Sequence, residues 1–304
     1  MMGRMFSPGK LLLTSEYFVL DGALALAVPT TPGQEFFFEE KADGKSEVFW
    51  EALHQGQPWL KVKLDYKTWI ILDTNLPQPA EFVLRLLQTV QQYSATKFQG
   101  SASYYLKTNL QFPPDYGLGS SSTLINNIAQ WSACDAYLLN EILLHGSGYD
   151  IAIARECRPV LFRNAPQREV KPVIYSPPFK DNLILLHINR KQDSRAGIQL
   201  YRSKEKSAEL ISRFSALTQE IYECTSLHDF LELLELHENL VSEFLGIPKV
   251  KDQLFTGYGG TIKSLGAWGG DFVMASKVDD YHSWFASRGY TRVFEWDDLI
   301  PVAP

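Results

Sequence analysis

The chain is poor in cysteine. It has three in 304 residues, Cys134, Cys157 and Cys224, widely spaced and odd in number, with no Cys-x-x-Cys. That excludes a disulfide-stapled scaffold and points to a reducing compartment. Long apolar runs are also missing. No window approaches the roughly 18 apolar residues of a membrane span. Pro8 and Gly9 interrupt the N-terminus before the apolar core of a secretory signal develops. A soluble, cytoplasmic protein that does not act at a membrane is expected. Nor is there a surplus of positive charge. Lys and Arg number 29 against 35 Asp and Glu, a net charge of −6. This gives no electrostatic footprint for nucleic acid, and none is expected as a partner. Three familiar motifs are absent as well. There is no G-x-x-x-x-G-K-[ST] and, with Ser122 three residues after Gly119, no G-x-G-x-x-G at that turn. His237-Glu238 opens like H-E-x-x-H but has no second His, which excludes a zinc protease.

What remains is rich in core-forming residues, 45% hydrophobic and 13% aromatic, which excludes disorder and suits one large domain or two ordinary ones. Asp21-Gly22 reads as a turn into a buried strand at 23–28. Residues 34–40 and 46–51, joined by Asp43-Gly44, read as a hairpin, and 61–64, 69–72 and 101–110 as further strands. Apolar residues at helical spacing predict helices over 80–93, 121–139, 205–223 and 227–245. A strongly apolar strand is expected at 182–188 and another at 272–275. Strands cluster early instead of alternating with helices, which favours an α+β fold. Prolines 159, 166, 172, 177 and 178 mark a boundary, giving expected domains 1–165 and 166–304. The charged run 202–209 reads as a solvated helix face.

Four segments carry candidate chemistry. Gly117-Leu118-Gly119-Ser120-Ser121-Ser122, after Pro113-Pro114, is a glycine turn opening onto a helix N-terminus. Such an end offers free amides and a positive dipole to phosphate, although the same residues also make an ordinary helix start. Lys10, after Pro8-Gly9, is either a phosphate-facing cation or an exposed lysine. Asp150 follows Gly146-Ser147-Gly148 and is a candidate base or an N-cap for a helix at 151–155. Glu141, nine residues earlier, offers a hard oxygen to Mg²⁺ or is a solvated charge. The fourth, Gly266-Ala267-Trp268-Gly269-Gly270-Asp271, has glycines dense enough for close backbone approach to a ligand, or for a tight turn.

Taken together and in this order, these segments resemble the GHMP kinases, the superfamily of galacto-, homoserine, mevalonate and phosphomevalonate kinases. Pro-Gly-Lys10 through Asp21-Gly22 is similar to the first motif. Gly117–Ser122 is similar to the phosphate loop, Gly148-Tyr-Asp150 to the segment holding the active-site Asp, and Gly266–Phe272 to the third motif. The mevalonate and phosphomevalonate kinase branch is most similar. The resemblance implies an N-terminal domain like ribosomal protein S5 domain 2 and a ferredoxin-like C-terminal domain. It implies ATP and Mg²⁺, and a small-molecule acceptor such as mevalonate, a hydroxylated acid, with transfer to a phosphomonoester or a non-catalytic binding role as alternatives. Pro114, the backbone from Gly117 to Ser122, Ser194, Gly269 and Gly270 would hold the nucleotide. Ser121 and Glu141 would ligate the metal, Asp150 would face the acceptor and Lys10 would lie beside it. Arg155, Arg158, Arg163, Arg190, Lys191 and Arg195 are candidate anion binders. A homodimer is left open. Three departures stand out: Ser15 replaces a glycine, two residues are missing before Asp150, and Trp268 and Asp271 stand where small residues are usual.

Overall fold

The computed structural model describes residues 1–189, 194–266 and 268–301; the side chains of Ser194 and Arg195 also lie outside what it describes. The chain forms two compact units that are not consecutive blocks of sequence. The first comprises Met1–Gly9, Pro32–Pro114 and Leu118–Cys157. The second comprises Lys10–Thr31, Asp115–Gly117 and Arg158–Pro304. Strands β1 (Met2–Leu12) and β2 (Ala25–Lys41) each give residues to both.

In the first unit, β3 (Glu47–His54), β4 (Gln57–Asp65) and β5 (Ile70–Thr74) are successive antiparallel neighbours. Then follow α1 (Pro77–Tyr93), β6 (Ser103–Leu110), α2 (Ser120–Ser132), α3 (Ala136–Leu144) and α4 (Tyr149–Glu156). The expected hairpin of 34–40 with 46–51 does not form. β6 inserts between the two strands, antiparallel to β2 and parallel to β3, so the order runs β5-β4-β3-β6-β2. Alternation along each strand sends Phe36, Trp50, Val62 and Leu106 into one core with Leu86, Ile125 and Trp131 from the helices. The single helix expected over 121–139 is two. Ala133 turns into the left-handed region (φ 54°), and Asp135 caps α3 by accepting from the Tyr137 amide at 2.8 Å.

In the second unit, β7 (Val160–Arg163) pairs with the start of β2, and β8 (Glu169–Pro172) with β7. Then come β9 (Leu183–His187), α5 (Ser194–Arg202), α6 (Ala208–Glu223), α7 (Leu227–Leu245), α8 (Val250–Leu254), β10 (Ile262–Leu265), β11 (Phe272–Ser276), α9 (Tyr281–Ala286), β12 (Val293–Glu295) and α10 (Trp296–Leu299). The sheet is fully antiparallel in the order β10-β11-β9-β12. Every residue of β9 is buried, as its unbroken apolar run predicts. Ser207 and Ser226 cap α6 and α7 through their hydroxyls, and Gly246 ends α7 in the left-handed region. Because α5 ends at Arg202 and α6 begins at Ala208, the run 202–209 is a helix end and a connection, not a continuous helix face. Among the described residues no helix is long and apolar enough to cross a membrane.

Candidate active site

The first unit builds a helix N-terminus beside an aromatic cavity. Gly119 occupies the N-cap position of α2 at φ 84°, a conformation that favours glycine, and no side chain caps the helix. The first-turn amides at Ser120, Ser121 and Ser122 therefore have no side-chain acceptor from the N-cap. Ser120 and Ser121, with Pro114, line a cavity of about 380 Å³ whose far wall includes Trp50, Trp59 and Phe82. His54 also lines it, stacked on Trp59 at 4.5 Å, and burial lowers its pKa below the ordinary imidazole value. The volume and aromatic lining suit a flat heterocycle.

A buried polar lattice fixes α2 in place. Ser7 Oγ donates to Asn127 Oδ1 (2.8 Å), and Asn127 Nδ2 donates to the Gln34 carbonyl (2.9 Å). Thr123 Oγ1 donates to Gln34 Oε1 (2.9 Å), and Asn126 Nδ2 reaches both Ser7 Oγ and the Ala154 carbonyl. These groups are satisfied mutually, so the helix bearing the serine turn has a single register against β1 and β2. Asn126 and Asn127 were not legible as site residues; nothing in their sequence context sets them apart.

Glu141 is exposed on α3, which packs on α2. Asp150 lies in the first turn of α4. It is not the N-cap, which is Gly148 at φ 94°. An acidic side chain suits that turn because the helix N-terminus is positive.

The second unit gathers Lys10, Gly117 and the third motif. Lys10 Nζ donates to the Gly117 carbonyl at 3.0 Å, across 107 residues of chain. Lys10, Tyr116, Gly117, Gly266 and Asp271 line one small cavity. Gly117 sits at φ 66°, and a Cβ there would overlap the Asp271 carboxylate. Gly117→Ala should therefore cost about 2–3 kcal/mol through a disfavoured φ and a carboxylate clash. Urea unfolding checks this; a loss below 0.5 kcal/mol would mean that the turn relaxes freely.

Bonded to the third-motif turn through Trp268 is a cluster that the motifs only hinted at. Glu16, His237, Glu238 and Lys263 are fully buried. Lys263 Nζ donates to Glu16 Oε1 (2.6 Å) and to the Ser264 carbonyl (2.8 Å), and lies 3.7 Å from Glu238 Oε1. Burial pushes the Glu16 carboxyl up to about 7 against the pull of Lys263, and raises Glu238 in the same direction. Burial also holds His237 well below the ordinary imidazole range, with the Lys263 charge adding to the effect. Ser15 adopts φ 61°, where a glycine is favoured. Its hydroxyl donates to the Leu24 carbonyl (2.7 Å) and its amide donates to His237 Nε2 (2.9 Å), which offsets the strain.

Trp268 does not narrow the Lys10 cavity. Its ring is buried, its indole Nε1 donates to Glu238 Oε1 (3.1 Å), and its amide donates to Tyr17 Oη (3.2 Å). Asp271, by contrast, does line that cavity. Gly269 and Gly270 follow Trp268 in the same turn, Gly269 at φ 86°. Arg163 donates to the Gly22 carbonyl (2.8 Å). Arg190 and Lys191, and the side chains of Ser194 and Arg195, lie outside the described residues.

The whole chain is similar in structure to small-molecule kinases. Against the Methanococcus jannaschii mevalonate kinase the TM-score is 0.67 at 14% identity, covering 96% of each chain. Against the L. major mevalonate kinase in complex with R-mevalonate it is 0.65 at 16%, covering 94% of this chain and 90% of that one. Against the Streptococcus pneumoniae phosphomevalonate kinase in complex with phosphomevalonate and AMPPNP it is 0.66 at 14%, covering 94% and 95%. The fold is that of the GHMP kinases. No protein-family model and no curated protein matches the chain. Within the GHMP-kinase fold, the second unit brings three separated motifs together: Lys10, Gly117 and the Gly266–Asp271 turn.

Proposed function

We propose that the protein transfers the γ-phosphoryl group of ATP to a hydroxyl of a small acid, such as mevalonate. The observation that carries this reading is the bond from Lys10 Nζ to the Gly117 carbonyl. It ties a cation to the start of the glycine turn that leads into the uncapped N-terminus of α2. Phosphoryl transfer asks the protein chiefly for positioning and charge stabilisation, and such a pairing supplies both. The aromatic cavity beside Ser120 and Ser121 would take the adenine base, and the first-turn amides of α2 the phosphates. Ser121 and Glu141 offer hard oxygen donors of the kind Mg²⁺ takes, a hydroxyl in that first turn and an exposed carboxylate on the neighbouring helix. Bound there, Mg²⁺ would neutralise developing charge on the phosphates. Asp150 would accept or orient the acceptor hydroxyl proton, and Lys10 would stabilise negative charge on the transferring group. Gly269 and Gly270 would leave room for the acceptor and phosphates.

The test is ADP release with Mg²⁺-ATP over a panel of mevalonate, phosphomevalonate and sugars. Turnover of at least one acceptor is expected. ATP binding without any turnover would overturn transfer and leave a binding protein on a kinase scaffold. Asp150→Asn then separates acceptor classes. A phosphomonoester has its second pKa near 6 and is already ionised at neutral pH, so it needs no strong base. The substitution should nearly abolish transfer to a hydroxyl and hurt transfer to a phosphate much less. Equal severe loss with both acceptor types would undo the distinction.

A further inference from the structure

The third-motif turn is fastened at Trp268 by two donors from one residue. The amide goes to Tyr17, seven residues along the chain from Lys10, and the indole goes to Glu238 on α7. Glu238 in turn shares Lys263 with Glu16. Groups converge here from every element packed around the cluster. The segment after β1 brings Glu16 and Tyr17, α7 brings His237 and Glu238 with Glu235 farther out, β10 brings Lys263, and the turn itself brings Trp268 and Asp271. From α6, Thr218 bonds to Thr14 and Ser15, and Phe214 meets the His237 ring edge-on at 5.2 Å.

The charges in this cluster do not balance unless a proton is kept. Two carboxylates face one ammonium, and the imidazole is neutral because its Nε2 accepts from the Ser15 amide. Two carboxylate oxygens of the cluster, Glu16 Oε2 and Glu238 Oε2, have no hydrogen-bond partner among the described residues, and the first of them faces another acceptor. Glu16 Oε2 lies 3.4 Å from that same His237 Nε2, so two acceptors confront each other. A proton on Oε2 removes the conflict. Glu16 Oε2 has no other partner among the described residues.

We propose that Trp268 is a positioning residue for the third-motif turn, and that its anchor holds only while the Glu16–Glu238 pair keeps one proton. Loss of that proton leaves a surplus negative charge in a site with no water-exposed atom. Hydrating the charge requires the turn to part from α7, which moves Gly269, Gly270 and Asp271 together. The link to activity rests on the phosphoryl-transfer reading; the anchor itself does not.

Hydrogen exchange of the full-length protein tests the anchor directly. In Trp268→Phe, exchange across 264–272 should rise about five- to tenfold at pH 6, the effect of one lost hydrogen bond, with α1 unchanged. In the parent, protection of that turn, corrected for intrinsic exchange, should fall between pH 6 and pH 8. Glu16→Gln keeps an acceptor for Lys263, turns an N–H toward His237 in place of the proton, and leaves Glu238 paired with Lys263 and the indole, so this pH dependence should vanish while the fold stays intact. A turn equally protected in Trp268→Phe, or a pH dependence that survives Glu16→Gln, overturns the proposal. If an acceptor is turned over, the parent kcat should decline above neutral pH and Glu16→Gln should remove that decline. If no acceptor is turned over, the transfer reading fails while the exchange results still decide the anchor.

Discussion

Lys263→Met will lower the free energy of unfolding by about 3–5 kcal/mol at neutral pH, the usual cost of removing one partner from a buried ionic cluster. The ammonium is the cation within hydrogen-bond reach of Glu16 and lies 3.7 Å from Glu238, and all three side chains are fully buried. Without it, both carboxyls must be neutral or hydrated, and burial already raises each. The cost should depend on pH with a defined sign. A carboxyl whose folded pKa lies above its unfolded value of 4.5 gives its full stabilisation below that value and loses it as pH rises through the folded value, about 7 for Glu16 in the parent. The parent should therefore weaken between about pH 4.5 and 7 through this group, and Lys263→Met should raise both folded values and extend the loss to higher pH. The deficit of the variant should accordingly be smaller at pH 5 than at pH 8. Urea unfolding at the two pH values measures it. Adding Glu16→Gln and Glu238→Gln to Lys263→Met should recover much of the loss, because a neutral hydrogen-bonded cluster has no charge to desolvate. A deficit that is the same at both pH values would show that lost packing, not unpaired charge, is responsible.

What was legible in the sequence was local. Helix α7 was bounded within a residue at each end because Ser226 and Gly246 carry their own capping chemistry. The strand at β9 was legible because five consecutive apolar or weakly polar residues have only one comfortable place, a sheet buried on both faces. The insertion of β6 between β2 and β3 was not legible. A short Asp-Gly connection favours a hairpin locally, and only the pairing of residues some sixty positions apart in sequence decides otherwise. The break of the second helix was missed although its signal was present: Asp135 is a good N-cap, and apolar spacing continues through it. The buried cluster was half visible. His237 falls on the apolar stripe formed by Phe230, Leu234, Val241 and Leu245, so its burial follows from helical period. Its partners come from residues 16 and 263, and no pattern within α7 announces them. The glycine motifs stood out in the sequence because each needs a special backbone: Gly117, Gly119, Gly148, Gly266 and Gly269 all have positive φ.

If the protein transfers phosphoryl groups as proposed, Lys10→Met will lower kcat by about 10²–10³-fold, the range for removing one preorganised charge-stabilising donor. The KM for ATP should change much less, because the amides at the α2 N-terminus and the aromatic cavity remain. The split follows from placement. Lys10 Nζ is held by the Gly117 carbonyl at 3.0 Å, so its charge is fixed beside the glycine turn before any ligand arrives. A preorganised cation costs no reorganisation when charge develops, and its removal weakens the transition state more than the ground state. Lys10→Arg should not restore the rate. The guanidinium is larger and planar, and the cavity shared by Lys10, Gly117 and Asp271 is small. Neither substitution should cost more than about 1 kcal/mol of stability, since a partly buried hydrogen bond to a carbonyl contributes about that much. Steady-state kinetics with the acceptor identified by the panel, run beside urea unfolding, separates the two effects. A kcat within tenfold of the parent, with folding intact, would remove Lys10 from the mechanism and shift the burden of charge stabilisation to the amides and the metal.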